Sequence, residues 1–102
     1  MKILMASPEC YPFAKVGGLG DVVGALAKFL AKAGHDVRIF LPLYGNICLP
    51  QNMVSYDNIE VKLGGHQRFC RVWKHKTEDL TYYFIEYQQY FGGQTIYLNG
   101  DY

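Results

Sequence analysis

The apolar positions of the chain change period several times, and each change marks an element. Lys2 to Ala6 carries the run Ile3-Leu4-Met5-Ala6, which predicts a strand buried on both faces, the usual first strand of a parallel sheet. Ser7 to Gly18 holds two prolines and two glycines and predicts a loop. From Leu19 the period becomes helical: Leu19, Val22, Val23, Leu26, Phe29, Leu30 and Ala33 share one stripe, expected to face the core. Gly34 predicts a left-handed cap, with Lys32 and His35 where the helix dipole favours positive charge. Asp36 to Leu41 predicts a second strand, ended by Pro42. Strand, loop, helix and strand make a βαβ unit with parallel strands and a right-handed crossover.

Beyond it the pattern predicts three further strands: Ile59 to Leu63, Arg68 to Lys74 and Leu80 to Glu86. Gly64-Gly65 and Lys76-Thr77-Glu78-Asp79 separate them as hairpin turns. Phe69, Arg71 and Trp73 alternate with Cys70 and Val72, so one face of the middle strand is expected to be less buried. Leu80 to Ile85 is more continuously apolar, which fits a return to the sheet centre. The tail from Tyr87 to Tyr102 is aromatic and glycine-rich without clear period. The fold class is α/β: a partial Rossmann-like domain, the start of a parallel sheet followed by a β-hairpin-rich segment. A doubly wound sheet needs helices on both faces, and one strong helix is present, so residues 1–102 read as an incomplete domain.

Composition narrows the function more than it names it. Half of the 102 residues are apolar, which supports a packed core. The net charge of +1 and the scattered basic residues give no footprint for nucleic acid or an acidic membrane surface. Cys10, Cys48 and Cys70 are too far apart for a metal-ligand pair, and His35, His66 and His75 lack ligand spacing, so no metal is expected. Sparse cysteines, no signal-peptide core and no membrane-length apolar stretch make the cytoplasm the expected location.

The candidate chemistry lies in Lys15-Val16-Gly17-Gly18-Leu19-Gly20-Asp21, between the first strand and the first helix. Ligands of open α/β sheets gather outside the carboxyl ends of the strands, where this loop falls. Gly17 and Gly18 let a ligand approach the backbone, the first helical turn offers N–H groups and a positive dipole end, and Lys15 adds a charge. Two readings stand side by side: a diphosphate seat, or a glycine turn with a solvated lysine. The motif is not a P-loop, because the lysine precedes the glycines. It is not a dinucleotide fingerprint either, since Val23 occupies the third glycine position and no acidic residue ends the second strand.

The run from Ser7-Pro8-Glu9-Cys10-Tyr11-Pro12-Phe13-Ala14 through Lys15-Val16-Gly17-Gly18-Leu19-Gly20-Asp21-Val22 resembles the N-terminal signature of the bacterial-type glycogen and starch synthases. The similarity continues through Gly24-Ala25-Leu26, Gly34-His35-Asp36-Val37-Arg38 and Leu41-Pro42-Leu43-Tyr44, and is loose beyond. The resemblance implies a GT-B arrangement, two Rossmann-like domains facing each other across a cleft. It implies transfer of glucose from ADP-glucose or UDP-glucose to the non-reducing end of an α-1,4-glucan, with retention and without a cofactor. On that basis Lys15 and the Gly17-Gly18 backbone contact the sugar nucleotide's phosphates, Asp21 is the catalytic candidate near the sugar or acceptor, and Glu9 belongs to the same cleft wall. Asp21 also has a plain reading as a first-turn charge complementing the dipole, and Glu9 as a structural carboxylate.

Some residues depart from that pattern. Ala27 stands where many relatives have proline, and Tyr90-Phe91-Gly92-Gly93 lacks the arginine that often follows the aromatic residue there. The implied second domain, with further phosphate-binding and base-binding groups, is missing from these 102 residues, so the chain is expected to be inactive by itself. Two alternatives remain: a GT-B transferase for another sugar nucleotide or acceptor, and a non-catalytic half-site module.

Overall fold

The computed structural model describes residues 1–14, 17–44 and 53–87. The elements run β1 (Lys2–Ala6), α1 (Gly18–Lys32), β2 (Asp36–Pro42), β3 (Val54–Leu63), β4 (His66–Lys76) and β5 (Thr81–Glu86). They form one mixed sheet in the order β1-β2-β5-β4-β3. β1 and β2 are parallel, as the βαβ pattern requires, and β5 inserts parallel to β2 at the centre. β4 and β3 follow antiparallel, closing the sheet as a hairpin ribbon. Gly64 and Gly65 both have positive φ, 57° and 82°, the conformation a tight two-residue hairpin demands.

The core lies on one face of this sheet. Val37, Ile39 and Leu41 of β2 alternate inward and meet Tyr82 and Phe84 of β5, with Ile39 paired to Tyr82 and Leu41 to Phe84. Cys10, Ala14, Val23, Ala27, Tyr44 and Leu80 complete the buried cluster. On the opposite face Phe40 stacks on Tyr83 at 4.5 Å between ring centroids, and Arg38 donates to the Tyr83 hydroxyl at 2.7 Å.

Two expectations about burial are corrected. β1 is not buried on both faces: it pairs with a single strand, and Leu4, on the face away from the core, is 66% exposed. The helical stripe is also displaced. Gly20, Val23, Gly24 and Ala27 face inward, whereas Leu19, Val22, Leu26, Phe29 and Ala33 are exposed. The physical reason is proximity, because the backbone of Tyr11 runs against the helix and donates its N–H to the Gly20 carbonyl at 3.0 Å. Only small side chains fit beneath it, so the large apolar residues sit on the neighbouring stripe. Ala27, the departure from proline, is fully buried on the same inward stripe.

β3 begins at Val54, five residues before the sequence pattern announces it. A register shift between Tyr56 and Ile59 breaks the two-residue period there, which hides the strand's first half. On β4, Phe69 is 54% exposed while Cys70, Val72 and Trp73 are half-buried, so the more open face is the Phe69 side, though Trp73 on that side is covered.

Candidate functional site

The carboxyl ends of β1 and β2 open onto a loop whose shape comes from its own hydrogen bonds. Ser7 leaves β1 with its N–H on the Phe40 carbonyl, 3.0 Å. Its hydroxyl donates to the Glu9 carbonyl at 2.7 Å and accepts the Glu9 N–H at 3.2 Å, a side-chain turn of the kind serine forms readily. The next turn closes between Cys10 and Ala14, which exchange N–H···O bonds of 2.8 and 3.0 Å. Phe13 pins this turn to the sheet through edge contacts with Tyr82 (4.9 Å) and Phe84 (5.0 Å). From the segment after β2, the buried Tyr44 hydroxyl donates to the Pro8 carbonyl at 3.0 Å.

α1 starts at this loop. Gly17 is its N-cap in extended backbone, without a side-chain cap. Gly17 and Gly18 are both exposed, and a Cβ on either would meet no atom within 4 Å. Neither their φ angles nor packing among the described residues calls for glycine at these positions. Asp21 lies in the first turn and is exposed, lining a shallow groove of about 360 Å³ with Tyr11, Gly24, Ala25 and Lys28. Glu9 is 4% exposed, and its Oε1 accepts the Gly17 N–H at 3.1 Å.

The structure therefore brings Glu9, Gly17, Gly18 and Asp21 together at one end of the sheet. Lys15 lies outside the described residues, as do Tyr90 and Phe91. Tyr44 and Tyr11 were not singled out as site residues by the sequence. The available sign for both was their place in the stretches that resemble the synthases, Tyr11 ahead of Pro12 and Tyr44 at the end of Leu41-Pro42-Leu43-Tyr44. Cys10 is fully buried, and desolvation pushes its thiol up to about 11, so it is a core thiol and not a nucleophile. Burial raises the Tyr44 hydroxyl as well, helped by the negative charge of Glu9. Among the described residues, no three metal-ligating side chains come together, and no helix is long and apolar enough to cross a membrane.

Residues 2–102 match the profile of the starch synthase catalytic domain. The chain belongs to that family. It is 41% identical over 99 residues to the glycogen synthases of Anoxybacillus flavithermus and Bacillus subtilis, and 44% identical over 101 residues to that of Bacillus cereus. Each comparison spans 95% of this chain and only 20–21% of the relative, so the chain covers about a fifth of the length of these synthases. Among solved structures, the catalytic domain of starch synthase IV from Arabidopsis thaliana, bound to ADP and acarbose, superposes with a TM-score of 0.83. It is 34% identical in sequence, and the match covers 98% of this chain and 21% of that one. The starch synthase fold is the expected α/β, GT-B type, and this chain has its parallel start and its hairpin segment.

Proposed function

We propose that this chain forms the diphosphate-binding and acceptor side of a retaining glucosyltransferase that extends an α-1,4-glucan from ADP-glucose, with UDP-glucose as the second donor candidate. The observation that carries the reading is the glycine pair at the start of α1. A Cβ at Gly17 or Gly18 would meet no atom of the described residues, so the backbone of this turn stands open to a ligand. Family membership supports a phosphorylated sugar donor, and the starch synthase IV neighbour holds ADP, which carries such a diphosphate.

In this mechanism the leaving nucleoside diphosphate gains negative charge as the glycosidic bond breaks. The N–H groups of the first turn of α1, the dipole behind them and Lys15 stabilise that charge. Asp21, one turn into the helix and exposed toward the groove with Tyr11, orients sugar hydroxyls or balances the developing oxocarbenium charge. Residues 1–102 act as part of an N-terminal Rossmann-like domain whose partner is the C-terminal domain of the same enzyme, working in the cytoplasm without metal or cofactor.

The test is nucleotide release, ADP from ADP-glucose and UDP from UDP-glucose, with and without glycogen, by the polypeptide that joins this segment to its second domain. Glycogen-dependent release that falls by about a hundredfold or more in Lys15→Ala supports the reading, as expected for loss of a charge aimed at the leaving group. Silence with both donors refutes it.

A further inference from the structure

We infer that Glu9 is a positioning residue: its buried carboxylate holds the N-cap backbone of α1 in shape, and it acts on a ligand only through that backbone. The inference rests on reading the glycine turn as a diphosphate seat.

Helix α1 begins without the side chains that usually fix a helix start. Its N-cap is Gly17, which has no side chain to cap with, and its third helical residue is Gly20. In a capping box that third residue is a glutamate or glutamine, reaching back to the N-cap N–H. Both halves of the device are absent from the helix. Glu9 supplies the second half from a different segment, accepting the Gly17 N–H at 3.1 Å. Two residues on, Tyr11 donates its N–H to the Gly20 carbonyl, so the loop grips both ends of the first turn.

Glu9 is itself held. The Ser7 hydroxyl bonds both its N–H and its carbonyl, and Tyr44 fixes the preceding peptide through the Pro8 carbonyl. At 4% exposure, with an oxygen on Gly17, the carboxylate is buried against the helix start, and Glu9 is not among the residues that line the groove. A carboxylate in contact with a diphosphate would repel it. Bonded to Gly17 and buried, the carboxylate avoids that contact and leaves the N–H groups after Gly17 for the anion. Gly17 and Gly18 give the ligand access but, with Gly20, leave the turn loose, and Glu9 restores its order.

The experiment follows the Gly17 amide by NMR hydrogen exchange in the 102-residue chain, together with titration by inorganic pyrophosphate. In Glu9→Ala the Gly17 amide is expected to exchange about tenfold faster, the loss of one charge-assisted hydrogen bond, and pyrophosphate binding to weaken with it. Glu9→Gln keeps an acceptor oxygen and is expected to recover most of both. Amides of Ile39 and Phe84 in the core report that the variants stay folded. Unchanged Gly17 exchange in Glu9→Ala overturns the inference, and so does Glu9→Gln losing binding while Gly17 stays protected. Should Glu9→Ala not fold, Glu9→Gln decides: the Gly17 amide resonance has to move when its acceptor loses charge, and an unmoved resonance overturns the role. If the unmodified chain binds no pyrophosphate while the Gly17 exchange results follow the pattern above, the diphosphate reading fails and the ligand role fails with it, but the backbone clamp stands.

Discussion

Gly24 lies directly against the backbone of Tyr11: a Cβ on Gly24 would sit 3.1 Å from the Tyr11 carbonyl oxygen and 3.3 Å from its Cβ. Tyr11 cannot retreat freely, because its own N–H is bonded to the Gly20 carbonyl at 3.0 Å. Gly24→Ala gains about 1 kcal/mol of helix propensity but forces this contact apart, and overpacking costs about 1–3 kcal/mol. The expected net result is a loss of about 1 kcal/mol, read from the urea midpoint at unchanged slope. A gain in stability would show that the loop moves away at little cost.

The inward and outward stripes of α1 make opposite predictions. Phe29 is 70% exposed, so Phe29→Gln is expected to change stability by less than about 0.5 kcal/mol. Val23 is 7% exposed, and Val23→Ala is expected to cost about 1–2 kcal/mol through lost burial and a small cavity. Equal losses at both positions would contradict the observed orientation of the helix. The same comparison shows how far sequence pattern reaches here. Val22, Leu26 and Phe29 have the right period, which locates the helix, but period alone does not choose between two adjacent apolar stripes. The choice was made by Tyr11, a loop residue whose approach no period records.

Trp73 donates its indole N–H to Glu86 Oε1 at 2.7 Å, with the Arg71 guanidinium 5.7 Å from its ring centroid. Glu86→Ala is expected to cost about 1 kcal/mol and to shift the emission of this single tryptophan, while Glu86→Gln keeps an acceptor and loses less. An unaltered spectrum in Glu86→Ala would mean the bond does not persist in solution.

Alkaline stability follows from two buried acids. Burial pushes the Cys10 thiol up to about 11 and, with the nearby Cys10 charge second, the Tyr82 hydroxyl up to about 12. Well below pH 8 both groups are protonated in the folded and unfolded chain alike. Between pH 9 and 11 the unfolded chain releases the thiol proton first and binds fewer protons, so stability falls as pH rises. The drop attributable to Cys10 is on the order of 1–2 kcal/mol, and Cys10→Ala is expected to remove it from the urea midpoint measured against pH. Peptide mapping after alkylation at pH 8 is expected to find Cys70, which is half-buried, modified ahead of Cys10.

The sheet was largely legible because its strands announce themselves by type. The run from Leu80 to Ile85 predicted a central strand, and β5 is flanked by β2 and β4. What escaped the sequence was relational. Glu9 and Gly17 are joined by a bond between a side chain and a backbone group, and backbone groups leave no trace in a list of residues. Tyr44 reaches Pro8 from the far side of β2, a contact that follows from the fold alone.

The insertion of β5 beside β2 also sets an order of assembly. The whole β3–β4 ribbon separates these neighbours along the chain, so pairing them directly would require closing a long loop before any contact repays it. β3 with β4, and β4 with β5, are pairs between consecutive strands and can zip locally. The topology thus implies growth from the antiparallel edge inward, with β5 carried to β2 as part of a preformed ribbon. Phe13 rests on Tyr82 and Phe84 of β5, so the loop that leads to the glycine turn acquires its shape only after that docking step. Pulse-labelled exchange during refolding should see amides of β4 protected before that of Gly17.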